Sequence, residues 1–460
     1  MKLINISGRS GVGKTTIAKL LKHVLNTKDK SVLHLSGDDL HRWERHDKKW
    51  REFTHLDPRA NDIRLGTNQI KTLMSGKSIE RNIYNHKTGK FIKNCLVDPH
   101  DTIINEGLHG LYSKEICDLA DLNIFVNTDD ELTKDWKLSR DIQSRGYTQS
   151  QVLKTIKDRA YDEQKYIQPQ MENADVIINF SRQEYSSIEM KIFSLFLSPP
   201  KIMEDLQIFY DTHKEFLMTC RALSFEYDLI QGAGGNMSYK IDDKIIITSS
   251  GSTMSDMTML NGYSVCDLEG EKLDDYNGRP SMEINLHTTI KKPIVLHTHP
   301  IYLNTILSSK DGYEIMKQIL NGDDHFAYIK YTTPGKELAK VLRHLEDNEH
   351  EIVFLENHGL VCSGDTFKHV LDTSMGINQL CKDWLVRNAK TFTNYTTIKS
   401  DQNNKFLFPD AAVLKEENKS LNNYMLHIQN EVGLEPNFLT KYEVKKLKNM
   451  EEEKYRRSVV

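Results

Sequence analysis

The chain has 460 residues, 38% hydrophobic and 27% charged, an ordinary composition for a soluble globular protein of two or three domains. Its formal net charge of -4 argues against a general nucleic-acid or anionic-membrane binder. The six cysteines, at 95, 117, 220, 266, 362 and 381, include no CxxC pair. They predict reduced, mostly buried thiols, not a disulfide framework or a thiolate metal site.

The N-terminus enters a strand pattern without a secretory h-region, and no stretch approaches about 20 apolar residues. A cytoplasmic protein with no membrane span is expected. From Lys2 to about Phe180, short apolar runs alternate with helical patterns. Leu3–Ile6 reads as a buried strand and Thr15–Val24 as a helix, with apolar residues at 17, 20, 21 and 24. Further strands are expected at Val32–Leu35, Thr102–Asn105, Leu122–Val126 and Val176–Phe180. Strands separated by helices predict a parallel α/β sheet. Leu197-Ser198-Pro199-Pro200 cannot continue a helix and marks a linker. Beyond it a second pattern begins, with a helix near Met203–Leu223 and strands at Ile245–Thr248, Ile294–His297 and Ile352–Leu355. The expected division is 1–196, a linker at 197–202, a second domain at 203–417 and a helical extension at 418–460. The Lys/Glu-rich end from Lys445 to Arg457 reads as a solvated helix face.

Gly8-Arg9-Ser10-Gly11-Val12-Gly13-Lys14-Thr15 fits GxxxxGK[ST] in full, after a strand and at the start of a helix. Glycines there turn backbone N–H groups onto phosphate oxygens, and the helix N-terminus adds partial positive charge. Gly8, Ser10, Gly11, Gly13, Lys14, Thr15 and Thr16 are the expected ATP contacts, with Lys14 on the β- and γ-phosphates and Thr15 on Mg²⁺. Gly37–Arg45 follows the second strand and offers a carboxylate to take a hydroxyl proton, with cations to hold an anionic substrate. Glu106 ends a strand where a second acidic group can sit near the metal. Lys137, Arg140 and Arg145 occupy one charged segment. Their spacing of three and five does not align all three on one helix stripe, so part of the set is expected on a lid.

The segment Gly37–Arg45, His55-Leu56-Asp57-Pro58-Arg59-Ala60-Asn61-Asp62, Tyr84-Asn85-His86-Lys87-Thr88-Gly89, Glu106-Gly107-Leu108-His109-Gly110, Lys137 to Gly146 and Tyr166 to Gln170 together resemble phosphoribulokinase and the related uridine kinases, in order through the first domain. The resemblance implies Asp38 as catalytic base, His41 and Arg45 as sugar-phosphate contacts, and Glu106 as the metal-side acid. It also implies Lys14, Lys137, Arg140 and Arg145 as catalytic and lid cations. A sugar or sugar phosphate is the implied substrate.

In the second half, Leu296-His297-Thr298-His299-Pro300 ends a strand with two histidines at i and i+2, which face one side. His358, in Glu356-Asn357-His358-Gly359-Leu360, again follows a strand. Three neutral imidazoles with an open position describe a catalytic zinc site. Glu283 is a carboxylate available as ligand, base or both. The fitting chemistry is enolate formation, in which a metal polarises an oxygen and a carboxylate moves the proton.

Gly234-Gly235-Asn236-Met237-Ser238, Ile247-Thr248-Ser249-Ser250-Gly251, Pro280-Ser281-Met282-Glu283, the HxH pair, Tyr331-Thr332-Thr333-Pro334-Gly335 and Asn357-His358-Gly359-Leu360 resemble the class II aldolase/adducin family over about 203–390. The resemblance implies an α/β/α domain with a mostly antiparallel sheet, His297, His299 and His358 as zinc ligands, and Glu283 as the acid/base. Asn236, Ser250, Gly251 and Ser281 match its phosphate cradle. Met282 departs from the family, which often carries a second hydroxyl residue there. Tyr328 and Tyr331 are candidate proton donors. The adducin branch lacks the metal histidines that this chain keeps. Aldol cleavage, 4-epimerisation, or one silent scaffolding domain are the readings left open. A homo-oligomer, with a tetramer favoured, is implied by the same family.

Overall fold

A computed structural model describes the chain except residues 27–30, 87, 183–187, 197–198, 233, 260, 274–277, 323–324, 345–349, 393–404, 415 and 460, and the side chains of 51, 143–145, 256 and 416. Leu197 and Ser198 of the expected linker therefore lie outside the described residues. The chain divides into two compact units, Met1–Asp211 and Thr212–Val460. The helix expected near Met203–Leu223 runs from Lys201 to Ser224. Among the described residues no helix is long and apolar enough to cross a membrane, and all six cysteines are free.

The first unit is built on β1 (Lys2–Gly8), β2 (Val32–Ser36), β5 (Thr102–Glu106), β6 (Leu122–Thr128), β7 (Val176–Arg182) and β8 (Ile188–Ser194), in the order β2-β5-β1-β6-β7-β8. All neighbours are parallel except β7 and β8. The central strands are near-continuous apolar runs, as burial on both faces requires: Leu3, Ile4, Ile6, Ile103, Ile104, Ile124 and Val126 are all buried. A separate hairpin pairs β3 (Ile79–Asn85) with β4 (Lys90–Val97). Register aligns the active ends of the sheet: Ser36 pairs with Glu106, and Glu106 with Ile6. Three carboxyl ends of parallel strands thus open on one crevice, the place where such sheets bind ligands.

The second unit carries a seven-stranded sheet of β9 (Asn236–Ile241), β10 (Lys244–Thr248), β11 (Tyr263–Asp267), β12 (Ile294–Thr298), β13 (Phe326–Ile329), β14 (Ile352–Leu355) and β15 (Gly359–Gly364). The order is β11-β10-β9-β12-β15-β14-β13, antiparallel except between β13 and β14. Every residue of β12 is buried, which puts its histidine in the middle of the sheet with no contact with bulk water.

The C-terminal segment forms helices Glu416–Val432, Lys441–Asn449 and Glu451–Val459. Its end is not the solvated face expected from its Lys/Glu-rich sequence, because Glu453 and Arg456 are buried. Three residues apart, they share one face of the helix, and that face turns inward. Arg456 donates to Asp410, a buried carboxylate that offsets the cost of burying a charge.

Two candidate active sites

The phosphate loop leaves β1 through three glycines with positive φ: Gly8 at 147°, Gly11 at 94° and Gly13 at 89°. A side chain on Gly8 would lie 2.3 Å from the Val126 carbonyl, so β6 enforces glycine there by space as well as by dihedral. Lys14 opens the following helix, Lys14–Asn26, and its Nζ donates to the Arg9 carbonyl at 2.7 Å. Arg9 itself is tied to Glu163 at 2.7 Å and Asp130 at 2.5 Å, which fixes the loop from outside. Burial pulls the Lys14 ammonium down, while Glu106 and Asp38 pull it back up. Thr15 Oγ1 donates to Glu106 Oε2 at 3.2 Å, so the two residues assigned to magnesium are neighbours. This oxygen pair beneath a phosphate-binding loop suits a hard cation that keeps most of its waters.

A cavity of about 510 Å³ joins Ser10, Gly11, Lys14, Thr15 and Glu106 to Asp38, His41, Arg45 and Arg140. Asp38 sits between two imidazoles: His86 Nε2 donates at 3.2 Å, and His41 Nε2 lies 3.6 Å away. Burial would raise its carboxyl, but His86, His41 and Lys14 outweigh this and hold it well below the usual carboxylate range. Asp38 is therefore ionised and able to accept a proton. His41 Nδ1 is held by Asn61 Oδ1 at 2.8 Å, and Arg45 donates to the His86 carbonyl at 2.6 Å.

The remaining residues fall as follows. Arg140 lines the cavity and pairs with Asp141 at 2.9 Å. Lys137 does not line it. It packs under the loop, where a Cβ on Gly11 would meet its own Cβ at 3.2 Å. Thr16 is likewise off the cavity wall. Arg145 ends helix Asp130–Arg145, and its side chain lies outside the described residues. Trp50, His55, Tyr84, His86 and Arg159 line the cavity without having been assigned a role from sequence.

In the second unit, the ligand atoms of His297, His299 and His358 lie within 4.8 Å of one another, all buried. His297 and His299 reach this point from one face of β12 and its extension. His358 arrives from the turn between β14 and β15, where Asn357 adopts φ 55° and is anchored by its amide to the carbonyls of Leu407 and Asn437 at 2.8 and 2.6 Å. A side chain on Gly359 would strike the Thr298 carbonyl at 2.4 Å, so the turn can close on β12 only with glycine there. Burial lowers His297 and brings His358 down to about 3, which leaves neutral imidazoles. Convergent and buried, the three rings fit a borderline metal such as zinc.

Glu283 Oε2 lies 3.4 Å from His297 Nε2, and its Oε1 lies 3.4 Å from His358 Nε2. Burial opposes its charge, but His297, His358 and the Asn236 amide outweigh that and hold the carboxyl at about 2. Asn236 donates to Glu283 at 2.7 Å, so its carbonyl oxygen must accept from His287 Nε2. His287 Nδ1 is then the acceptor for Ser238 Oγ, at 2.7 Å. This fixed chain, Ser238 to His287 to Asn236 to Glu283, sets a single tautomer on a ring that burial brings down to about 3.

Asn236, Ser250, Gly251 and Ser281 line the same cavity as Glu283, His299 and His358. The Ser250 N–H is spent on the Arg279 carbonyl at 2.8 Å. Neither Tyr328 nor Tyr331 lines it. Instead Asp410, Glu453 and Arg456 form part of the wall, and Asp410 Oδ2 lies 3.1 Å from His299 Nδ1. Sequence reasoning missed these three and His287. His287 carried a weak signal, one helical turn after Glu283, whereas the others carried none.

A phosphate loop and two acids at the strand ends of a parallel sheet define a P-loop phosphotransferase fold, and the second unit defines an antiparallel α/β domain around three histidines. A family model described as Phosphoribulokinase / Uridine kinase family matches residues 3–186, and one described as Class II Aldolase and Adducin N-terminal domain matches residues 214–385. The chain belongs to the phosphoribulokinase/uridine kinase family through its first unit, which is joined to a class II aldolase/adducin-family domain. It is 39% identical over 176 residues to a phosphoribulokinase of Synechocystis sp., covering 38% of this chain and 52% of that protein. It is 31% identical over 182 residues to a uridine kinase of Latilactobacillus sakei, covering 38% of this chain and 84% of that protein. The chain thus spans about half the length of the phosphoribulokinases it matches. The solved N-terminal class II aldolase domain of a Thermoplasma acidophilum protein is 22% identical, covering 37% of this chain and 92% of that one, at a TM-score of 0.33. That likeness is too loose to carry weight.

Proposed function

We propose that the first unit phosphorylates a hydroxyl of a sugar or sugar phosphate from ATP, and that the second cleaves or forms a carbon–carbon bond in a ketose or ketose phosphate with zinc. The observation that carries the reading is the single crevice in which ionised Asp38 faces the phosphate loop. Asp38 takes the proton of the attacking hydroxyl, and His41, His86 and Arg45 orient the sugar around it. Lys14 and Arg140 stabilise the charge that spreads over the transferring phosphoryl group, with Arg145 added from the lid. Thr15 and Glu106 would hold Mg²⁺, which when bound neutralises phosphate charge.

In the second unit His297, His299 and His358 would hold zinc. When bound, zinc supplies the charge that polarises a substrate oxygen. In the condensing direction Glu283, held ionised by His297, His358 and Asn236, takes a proton from the carbon beside the substrate carbonyl. That carbon bonds to the aldehyde carbon, and the aldehyde oxygen, now an alkoxide, takes up a proton. In cleavage the hydroxyl loses its proton, the bond breaks, and Glu283 returns a proton to carbon. Ser250, Gly251 and Ser281 would seat a substrate phosphate. The same residues suit a 4-epimerase, which cleaves and rejoins the bond without release. A homo-oligomer, with a tetramer favoured, is the assembly this reading expects, and Gly8, Ser10, Gly11, Gly13 and Thr16 complete its ATP contacts.

The test is a screen of ADP release against free and phosphorylated ketoses, with carbonyl products detected in the same wells. A sugar that gives ADP and then an aldehyde, the aldehyde disappearing in His297→Ala, supports both halves. ADP without aldehyde leaves the kinase reading and turns the second unit to a 4-epimerase, an aldolase for an unrelated substrate or a silent scaffold.

A further inference from the structure

The cavity around the histidines is lined by two unlike sets of residues. One is the Ser250, Gly251 and Ser281 segment, made of hydroxyls and backbone. The other is built by Asp410 and by Glu453 and Arg456 of helix Glu451–Val459. Glu453 is 1% exposed and Arg456 9%. Arg456 gives one terminal nitrogen to Asp410 and the other to Glu453, at 3.3 Å. That leaves two buried atoms without a hydrogen-bond partner, Glu453 Oε2 and Arg456 Nε. A buried donor or acceptor left unpaired destabilises the fold, and such atoms in native proteins ask for an explanation.

A hydroxyl group can satisfy either atom, accepting from Nε–H or donating to a carboxylate oxygen. A phosphate dianion can only accept. Two carboxylates share one guanidinium here, so the wall offers no spare positive charge to a dianion, and Glu453 Oε2 would face it oxygen to oxygen. Burial, with Asp410 and Glu283 nearby, also raises the Glu453 carboxyl to about 7, against the pull of Arg456.

We propose that Glu453 and Arg456 form a hydroxyl-recognition pair, so that the substrate of the histidine site presents a neutral polyol end to the C-terminal helix and carries no second phosphate there. This rests on the reading of the cavity as a ketose-phosphate site and narrows its substrate class to monophosphates. If the kinase half supplies the substrate of the histidine site, it must then act on an unphosphorylated sugar, because phosphorylating a sugar phosphate yields a bisphosphate.

The experiment is hydrogen exchange of the zinc-loaded full chain, read on the amides of residues 451–459. The probes are a panel of ketopentose and ketohexose 1-phosphates, each beside its bisphosphate. At least one monophosphate is expected to slow exchange in that helix by about tenfold, while its bisphosphate at equal concentration does not. Glu453→Gln, equal in shape, is expected to lose most of that protection. Equal protection by a bisphosphate overturns the proposal, as does protection by no probe or full protection in Glu453→Gln. Failure of the lyase reading looks different: no aldehyde forms, while monophosphate protection of the helix persists.

Discussion

Asp410 Oδ2 lies 3.1 Å from His299 Nδ1, and the same carboxylate holds Arg456 through its other oxygen. A carboxylate behind a metal-binding imidazole fixes the ring and its tautomer, so that the opposite nitrogen faces the metal. With zinc held by the triad as proposed, Asp410 would set its affinity from the helix Pro409–Val413, far along the chain from the HxH motif. Asp410→Asn should weaken zinc binding by about 10- to 100-fold. Zinc retained after dialysis against graded chelator measures this, with urea unfolding of the second unit as the control for folding. Unchanged retention would show that Asp410 serves only Arg456.

Asp38 is the one carboxylate flanked by His41 and His86 at the mouth of the phosphate loop. Asp38→Asn keeps its size and hydrogen-bonding reach but cannot take a proton. The expected loss in kcat is about 10²- to 10⁴-fold, the usual contribution of a positioned base. ATP affinity, measured separately by calorimetry, should hold. A variant that retains most of its kcat would move the base elsewhere, with His86 the next candidate in line.

Lys137 gives a pH prediction whose sign follows from burial. Desolvation, reinforced by Arg159 and Arg140 and opposed by Asp141 and Glu163, brings its ammonium from 10.5 down to about 8. A cation under the phosphate loop is then lost as pH rises through about 8, and kcat/KM for ATP should fall over that range. Lys137→Arg keeps its charge and should flatten the fall. Folding stability moves the other way. The folded state binds fewer protons than the unfolded state between about 8 and 10.5, so this group favours folding as pH rises there.

Much of the first site was legible because its chemistry sits at strand ends. The apolar runs Leu3–Ile6, Val32–Leu35 and Thr102–Asn105 locate three strands, and the residues that follow them are the loop, Asp38 and Glu106. Parallel pairing then brings them together without further information. Hairpin β3–β4 was missed because it has no continuous apolar face: Ile92 and Leu96 are exposed, and the strand reads as mixed polar. The histidine triad was legible from two short motifs. Its outer partners were not, because Asp410, Glu453 and Arg456 are charged residues buried by pairing with one another. Hydrophobic periodicity, the main signal in a sequence, marks no such burial. In helix Glu451–Val459 it reports only a polar surface.

That buried set makes the last prediction. Arg456 stands between two carboxylates, Asp410 and Glu453, with His299, Glu283 and Arg457 as the other charged or titratable neighbours named with them. Arg456→Met removes the guanidinium that both acids share, and should cost about 3–5 kcal/mol in the urea unfolding of the second unit. The triple variant Asp410→Asn, Glu453→Gln, Arg456→Met removes the charges together and should cost less than the single change, since no ion is left unpaired. pH separates lost charge pairing from lost packing. In the wild-type chain, Arg456 and His299 hold the Asp410 carboxyl low against burial, so its stabilising contribution is present above about 3.8, the ordinary value, and is lost on acidification. Without Arg456 the Asp410 carboxyl loses the largest charge that opposes its burial and the Glu453 carboxyl, already raised, rises further, so the variant loses stability as pH increases. The gap between wild type and Arg456→Met should therefore be widest near neutral pH and narrow toward pH about 5. A gap constant with pH would assign the loss to packing of the long side chain and not to its charge.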